Sequence, residues 1–250
     1  MSFKNKVVFI SGASSGIGAA TAKEFSKEGA YVVIVDRNET KMEKVAAECE
    51  SYGKKPLVIK ADVSEDDEAK AAIDKTIQKF EKLDILVNNA GILRYGNLID
   101  GRILEAYDEV MATNLRAAIH LTSLAVPHLI KTKGSIVNIS SIAGSHVVSP
   151  LVVAYSVSKA GLNHFTRGAA LELASYGVRV NAISPGPVYT DIYENAGPVH
   201  PIDNSNIETP LGTISDPIEI AHLVLFLSGD KAKAITGSNY VSDNGYLLSH

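Results

Sequence analysis

The sequence predicts an α/β fold, a single Rossmann-like doubly wound parallel sheet of about seven strands flanked by helices. Three observations predict it. Apolar runs of strand length alternate with helical stretches along the whole chain. The strand runs are apolar at successive positions rather than at every second one, which suits strands covered on both faces. The 250 residues, 46% of them hydrophobic, suffice for one large core, and no repeat or low-complexity tract interrupts them. One domain over residues 1–250 is therefore expected.

The elements follow in order. "KVVFIS" (6–11) reads as the first strand, ahead of a helix in "SSGIGAATAKEFSKEGA". "YVVIVD" (31–36) precedes the helical "NETKMEKVAAECESYG", and "PLVIKAD" precedes "SEDDEAKAAIDKTIQKF". In that third helix Ser64 is the expected cap, followed by acids that suit the positive end of the helix dipole. "LDILVNNAG" leads into a long amphipathic helical region, roughly Ile103 to Ile130. "GSIVNISS" leads into a helix over Val153 to Tyr176. "VRVNAISPG" is followed by a loop and then by "DPIEIAHLVLFLSG", where Asp216 caps and Pro217 occupies the first helical position. "GSNYVSDNG" is the last strand.

Composition narrows the function classes. The net charge is −4, with 24 basic and 28 acidic residues spread along the chain, so neither nucleic acid nor an anionic membrane is an expected partner. No apolar run reaches the ~18 residues of a membrane span. The opening "MSFKNKVVFISG" is too quickly interrupted for a secretory leader. Cys49 is the one cysteine, which permits no internal disulfide and suits a reducing, cytoplasmic setting. The seven histidines have no metal-binding spacing, so no metal site is expected.

The stretch Pro185 to Ser215 holds five prolines and three glycines. It is long for a connection and follows a strand's C-terminal end, where ligands bind in such sheets. A substrate-covering loop is expected at about 186–215.

The first strand runs into Ser11-Gly-Ala-Ser-Ser-Gly-Ile-Gly18, with glycines at 12, 16 and 18. Glycine permits a tight turn and close backbone approach to a phosphate, and the helix start offers free amides to an anion. The spacing lacks the lysine of a nucleoside triphosphate loop, so a dinucleotide is expected here. Asp36 ends the second strand. A carboxylate there can accept from both ribose hydroxyls and repels a 2′-phosphate, which favours NAD. Arg37 follows and could pair with such a phosphate, so NADP stays open.

Tyr155 and Lys159 lie four apart in "AYSVSKAG", on one helical face. Together with the glycine turn, Asp62-Val63, Asn88-Asn-Ala-Gly91, Asn114, Ser140-Ser141 and Pro185-Gly186, they resemble the short-chain dehydrogenase/reductase family over nearly the whole chain. The resemblance is nearest to the members that act on secondary alcohols and ketones, including 3-oxoacyl reductases and hydroxysteroid dehydrogenases.

The resemblance implies Tyr155 as acid/base, Lys159 as its partner and a donor to the nicotinamide ribose, Ser141 on the substrate oxygen, and Asn114 holding a water in a proton relay. Lys159 and an oxidised nicotinamide are expected to lower the phenol from its ordinary pKa of about 10. The cofactor residues implied are Gly12, Ser14, Ser15, Gly16, Ile17, Gly18, Asp36, Arg37, Asp62, Val63, Asn89, Ala90, Gly91, Tyr155, Lys159, Pro185, Gly186, Val188 and Thr190. Asp62 is expected at the adenine amino group, and Asn88 lines the channel or is purely structural. A homotetramer is implied, packed through the helices beginning near Ile103 and Val153.

Two departures stand out. Tyr155 lies fourteen positions after Ser141, one more than is usual in the family, so "SHVVSPLVV" is expected to alter the pocket rim and leaves Ser140 as an alternative to Ser141. Asn244 stands where a glycine is common. The expected rim, with substrate contacts Ser141, Tyr155, Tyr95, His146, Val147, Tyr189 and Ile192 beside Leu93, Arg94, Val153 and Tyr193, is mostly apolar and suits a medium-sized alcohol or ketone. The competing reading is a catalytically silent sensor or scaffold that binds dinucleotide; the complete Asn-Ser-Tyr-Lys set argues against it. An epimerase or dehydratase on the same fold is a third reading, against which the chain length and the absence of a large C-terminal sugar-binding domain count.

Overall fold

The computed structural model describes residues 2–194, 196 and 208–249. Seven strands form one sheet in the order β3-β2-β1-β4-β5-β6-β7. They are β1 (Val7–Ser11), β2 (Tyr31–Asp36), β3 (Leu57–Lys60), β4 (Ile85–Asn88), β5 (Ser135–Ile139), β6 (Arg179–Pro185) and β7 (Asn239–Ser242). Every pairing is parallel. The main helices are α1 (Gly16–Lys27), α2 (Glu39–Glu50), α3 (Asp66–Phe80), α4 (Ile103–Met111), α5 (Ala117–Thr132), α6 (Val153–Leu173) and α7 (Pro217–Ser228), with a short final turn α8 (Tyr246–Ser249).

The continuous apolar strands have a simple cause. Successive side chains of a strand point to opposite faces, and both faces here are covered. Val8, Ile10, Val32 and Ile34 pack with Phe25 of α1, Met42 of α2 and Val224 of α7. Val7, Phe9, Val33 and Val35 pack with Ile73 of α3, Leu121 of α5 and Leu173 of α6. Each such side chain, fully buried, contributes about 1.5–3 kcal/mol.

The chain builds β1 to β3 in one direction, then crosses to β4 and builds β4 to β7 in the other. The C-terminal ends of β1 and β4 thus form a topological switch point, where a crevice opens. Side chains tie it together. Ser11 Oγ accepts the amides of Asn89 and Ala90, both at 3.1 Å. Asn89 Nδ2 donates to the carbonyls of Ser11 and Gly12 at 3.0 and 2.8 Å.

Two expectations need correction. The region from Ile103 is not one regular helix: a π-helical segment, Ala112–Arg116, separates α4 from α5. Such segments often accompany functional sites, and this one carries Asn114. The cap of α3 is Glu65 rather than Ser64, whose hydroxyl instead donates to Asp62 Oδ1 at 2.6 Å. Asp66, Asp67 and Glu68 in the first turn still complement the dipole. The middle of the expected covering loop, 195 and 197–207, lies outside the described residues. By contrast, Asp216 and Glu219 form a full capping box on α7.

Candidate active site

The strand ends line one large cleft, about 1010 Å³, that runs from Asp36 past the glycine turn to Ser141, Tyr155 and Tyr193. Gly12 has φ +66° and Gly16 φ +51°. A Cβ on Gly12 would stand 2.7 Å from the Ala90 Cα, and one on Gly16 would stand 2.9 Å from Thr190 Cγ2. Side chains are thus excluded where the α1 amides face the cleft, and the cradle fits a pyrophosphate. Gly18 serves differently. It does not line the cleft, and a Cβ there would lie 2.2 Å from the Gly12 carbonyl oxygen, so its bareness lets α1 pack against the turn.

The other expected cofactor residues Ser14, Ser15, Ile17, Asp36, Arg37, Asp62, Val63, Asn89, Ala90, Gly91, Pro185, Gly186, Val188 and Thr190 all line the cleft. Asn88 does not. Buried, it donates to Asn138 Oδ1 at 2.9 Å and Thr122 Oγ1 at 3.1 Å, a polar link between β4, β5 and α5. Asp36 Oδ1 accepts the Asn38 amide at 3.0 Å. Asp62 is engaged with Ser64 and with Arg37 Nη1, the latter at 3.1 Å. Burial alone would raise its carboxyl, but Ser64 and Arg37 outweigh it and hold it below the usual range.

At the other end, α6 brings Tyr155 and Lys159 to the cleft, both buried. The Ser141 side chain is the neighbour that favours the Tyr155 phenolate, and its hydroxyl oxygen accepts the Ala143 amide at 3.1 Å. Ser140 also lines the cleft, and its hydroxyl donates to the Lys159 carbonyl at 3.2 Å. Lys159 Nζ donates to the Ile139 carbonyl at 2.8 Å and stands 5.6 Å from the Tyr155 ring centroid. Burial pushes Lys159 down to about 8.

The lowering of Tyr155 expected of Lys159 together with an oxidised nicotinamide is not supplied by the protein's own surroundings. Burial pushes the phenol up, and the neighbouring Ser141 only partly counters it. The physical reason is desolvation: an anion in an apolar surround is disfavoured unless charge is supplied beside it.

Asn114 clamps the backbone of Ile92, accepting its amide at 2.8 Å and donating to its carbonyl at 2.9 Å. Its second Nδ2 hydrogen goes to Ser158 Oγ at 3.2 Å. A Cβ on Gly91 would lie 3.5 Å from both Asn114 Oδ1 and Lys159 Nζ, so the bare glycine leaves open space between them.

The rim differs from expectation. Ile192 lines the cleft, as do Leu93, Arg94 and Tyr193, but His146, Val147, Tyr95 and Tyr189 do not. Val147 and Tyr189 are 82% and 62% exposed, and His146 is exposed too. Tyr95 is buried in the small cluster that packs Tyr155 against Leu93, Val152 and Ala196. The lengthened segment forms two short 3₁₀ turns, Ile142–Gly144 and Pro150–Val152, and offers Val148, Ser149 and Val152 to the cleft instead. Tyr246, from the far end of the chain, also lines it. No local pattern could have revealed that residue.

A glycine cradle at the switch point of a parallel sheet, beside an acid that ends the second strand, defines a dinucleotide-binding α/β protein. Residues 12–247 match the family described as Enoyl-(Acyl carrier protein) reductase. The chain is 36% identical to 3-oxoacyl-[acyl-carrier-protein] reductase FabG of Thermotoga maritima, covering 99% of this chain and 100% of that one. It is 36% identical to a cyclohexanol dehydrogenase of Acinetobacter sp., covering 98% and 96%. A short-chain dehydrogenase/reductase of unknown function from Caenorhabditis elegans, solved with cofactor, superposes with a TM-score of 0.91 at 34% identity over 99% and 97% of the two chains. The chain belongs to the short-chain dehydrogenase/reductase family and is an oxidoreductase that uses a nicotinamide dinucleotide.

Proposed function

We propose that the protein interconverts a secondary alcohol and a ketone with NAD as the preferred cofactor and Tyr155 as acid/base. The observation that carries this reading is that Tyr155, Ser141 and Lys159 line the same cleft as the glycine cradle, with the Lys159 ammonium 5.6 Å from the Tyr155 ring centroid. The dinucleotide, when bound, supplies or accepts the hydride and brings a positive charge in its oxidised form.

This chain's residues handle the proton. Ser141 orients the substrate oxygen toward Tyr155. In reduction, Tyr155 donates its proton to that oxygen, and its burial keeps it protonated for the purpose. In oxidation it must lose that proton first, and the nearby Lys159 ammonium favours the phenolate. The space over Gly91, between Asn114 and Lys159, suits a water that carries the proton outward. Asp36 accepts from the adenosine ribose and disfavours a 2′-phosphate.

Leu93, Val148, Val152, Ile192 and Tyr193 give the substrate end an apolar lining with few polar groups. A medium-sized alicyclic, acyl or aromatic alcohol or ketone suits it, and the names of the two relatives, a cyclohexanol dehydrogenase and a 3-oxoacyl reductase, fall in that range. Among the described residues no helix is long and apolar enough to cross a membrane. A single buried cysteine suits a reducing cytoplasm.

We infer a homotetramer. Leu104 and Tyr107 of α4, Ile119 of α5, and Val153, Val157 and Leu171 of α6 leave apolar surface exposed, with a shallow groove at Met111, Ala112 and Leu115. Closed symmetry is the usual way to cover such faces. Light scattering at micromolar concentration giving the mass of a single chain would refute it.

The test of the reaction is a screen of secondary alcohols and ketones against both cofactors, followed by nicotinamide absorbance. Turnover of a ketone or alcohol supports the reading. Tight cofactor binding with no turnover across the screen would favour the silent sensor.

A further inference from the structure

The adenosine end of the cleft holds three cations, Arg37, Lys41 and Lys60, and each is neutralised. Arg37 pairs with Asp62 at 3.1 Å and Lys60 with Glu39 at 3.7 Å. Both of those partners belong to the same corner of the fold, around β2, β3 and α2. Lys41 is different. Its Nζ lies 2.6 Å from Oδ2 of Asp191, a residue 150 positions away in the segment after β6.

In the sheet, β2 and β6 are separated by β1, β4 and β5. At about 4.8 Å per step, the two strand ends stand roughly 19 Å apart. The segment after β6 therefore folds back across the glycine turn, where Thr190 lies against Gly16, before Asp191 reaches Lys41. Lys41 itself is tied to Asp36 through Asn38: the Lys41 amide donates to Asn38 Oδ1, and the Asn38 amide donates to Asp36 Oδ1, each at 3.0 Å.

Stability does not explain the pair. Its side chains are 47% and 35% exposed, and ion pairs so placed contribute ~0–1 kcal/mol. Its effect on local charge is larger in consequence. A 2′-phosphate at the ribose held by Asp36 would need a cation, and all three in reach are already engaged.

Resting on the reading that the adenosine ribose sits at Asp36, we propose that Asp191 is a cofactor-selectivity residue acting from the far side of the cleft: by binding Lys41 it withholds a cation from a 2′-phosphate. The preference for NAD then has two sources. Asp36 repels the phosphate directly, and Asp191 removes the lysine that would receive it. Discrimination at the ribose is also tied to the segment that carries Ile192 and Tyr193 into the substrate end, since a phosphate that captured Lys41 would release that segment.

The experiment is a titration of NADH and NADPH at low ionic strength, followed by the fluorescence of the reduced nicotinamide, which no tryptophan obscures because the chain has none. The readout is the ratio of the two dissociation constants, so a general loosening of the segment cancels. Asp191→Asn should move the ratio toward NADPH by about three- to fivefold, the worth of one such ion pair. Adding Lys41→Gln to Asp191→Asn should return the ratio to the wild-type value. An unchanged ratio in Asp191→Asn overturns the proposal, as does a shift that survives in the double variant, because Asp191 would then not act through Lys41. Asp36→Ser is the control for the underlying reading. If it leaves the ratio unchanged, the ribose is not at Asp36 and both fall; if it shifts the ratio while Asp191→Asn does not, only the present inference falls.

Discussion

Lys159 Nζ stands 5.6 Å from the centre of the Tyr155 ring, and its hydrogen bond goes to the Ile139 carbonyl. Of the two neighbours, Ser141 is the one that favours the phenolate within the protein itself, against the larger effect of burial.

Replacing Tyr155 with Phe keeps the ring and its packing and removes the proton. Turnover should fall by about 10²–10⁴-fold, with NADH affinity nearly unchanged, as read by steady-state kinetics and a cofactor titration. A folded Tyr155→Phe enzyme retaining most of its turnover, on a substrate for which chemistry limits the rate, would remove Tyr155 from the proton's path.

Lys159 titrates at about 8 in the fold because burial disfavours its charge, against about 10.5 when unfolded. The sign follows from proton counting. Below about pH 8 both states are protonated; above it the folded state has lost a proton that the unfolded chain keeps, so stability rises with pH across that window. Relative to Lys159→Met, the wild type should gain on the order of 3 kcal/mol between pH 8 and 10.5, read by denaturant unfolding. Parallel pH profiles would show that the ammonium is not desolvated. The variant should also lose both turnover and cofactor affinity.

Asp36→Ala should narrow or reverse the preference for NADH by about 1–2 kcal/mol, the scale of a charge-assisted hydrogen-bond pair. Direct titration of both reduced cofactors decides it. Tighter NADPH binding by the wild type would mean that Arg37 leaves Asp62 and governs the site.

Gly18→Ala would place a methyl 2.2 Å from the Gly12 carbonyl oxygen and 2.5 Å from Asn89 Nδ2. Backbone must shift to admit it, at about 1–3 kcal/mol, and the shift moves the glycine turn. A lower melting temperature together with weaker nucleotide binding is expected. Wild-type values for both would show that the turn has slack.

Asp84 lies at the opposite end of the sheet, where its carboxylate accepts the Val7 amide at 2.9 Å and pairs with Lys6 and Lys82, both at 2.9 Å. Burial would raise its pKa, but the amide and the two lysines hold it below the usual range. Its contribution is present above the ordinary carboxylate pKa and is lost as pH falls through the lowered folded value. Asp84→Ala should cost about 1–3 kcal/mol at neutral pH, and the difference from wild type should shrink in acid. An unfolding free energy within error of wild type at pH 7 would overturn this.

Much of this protein was legible in the chain alone. Strands buried on both faces must be apolar at successive positions, so β1 and β2 announced a parallel sheet without any knowledge of their partners. The glycine turn and the Tyr155–Lys159 spacing are likewise local, since a tight turn and a helical face are set by residues within a few positions of one another. Tertiary structure decided the rest. Which serine neighbours Tyr155, which rim residues face the cleft, and that Tyr246 joins them depend on where separate strand ends and loops arrive. Asn244 shows the two levels meeting: it adopts the left-handed conformation, φ +53°, that glycine usually supplies, and its side chain donates to the Thr213 carbonyl and Ser215 Oγ, both at 3.0 Å. The raised Tyr155 phenol and the Lys41–Asp191 pair belong wholly to the fold. Desolvation is a property of the surroundings of a group, and an ion pair across 150 residues exists only once the sheet has brought its ends together.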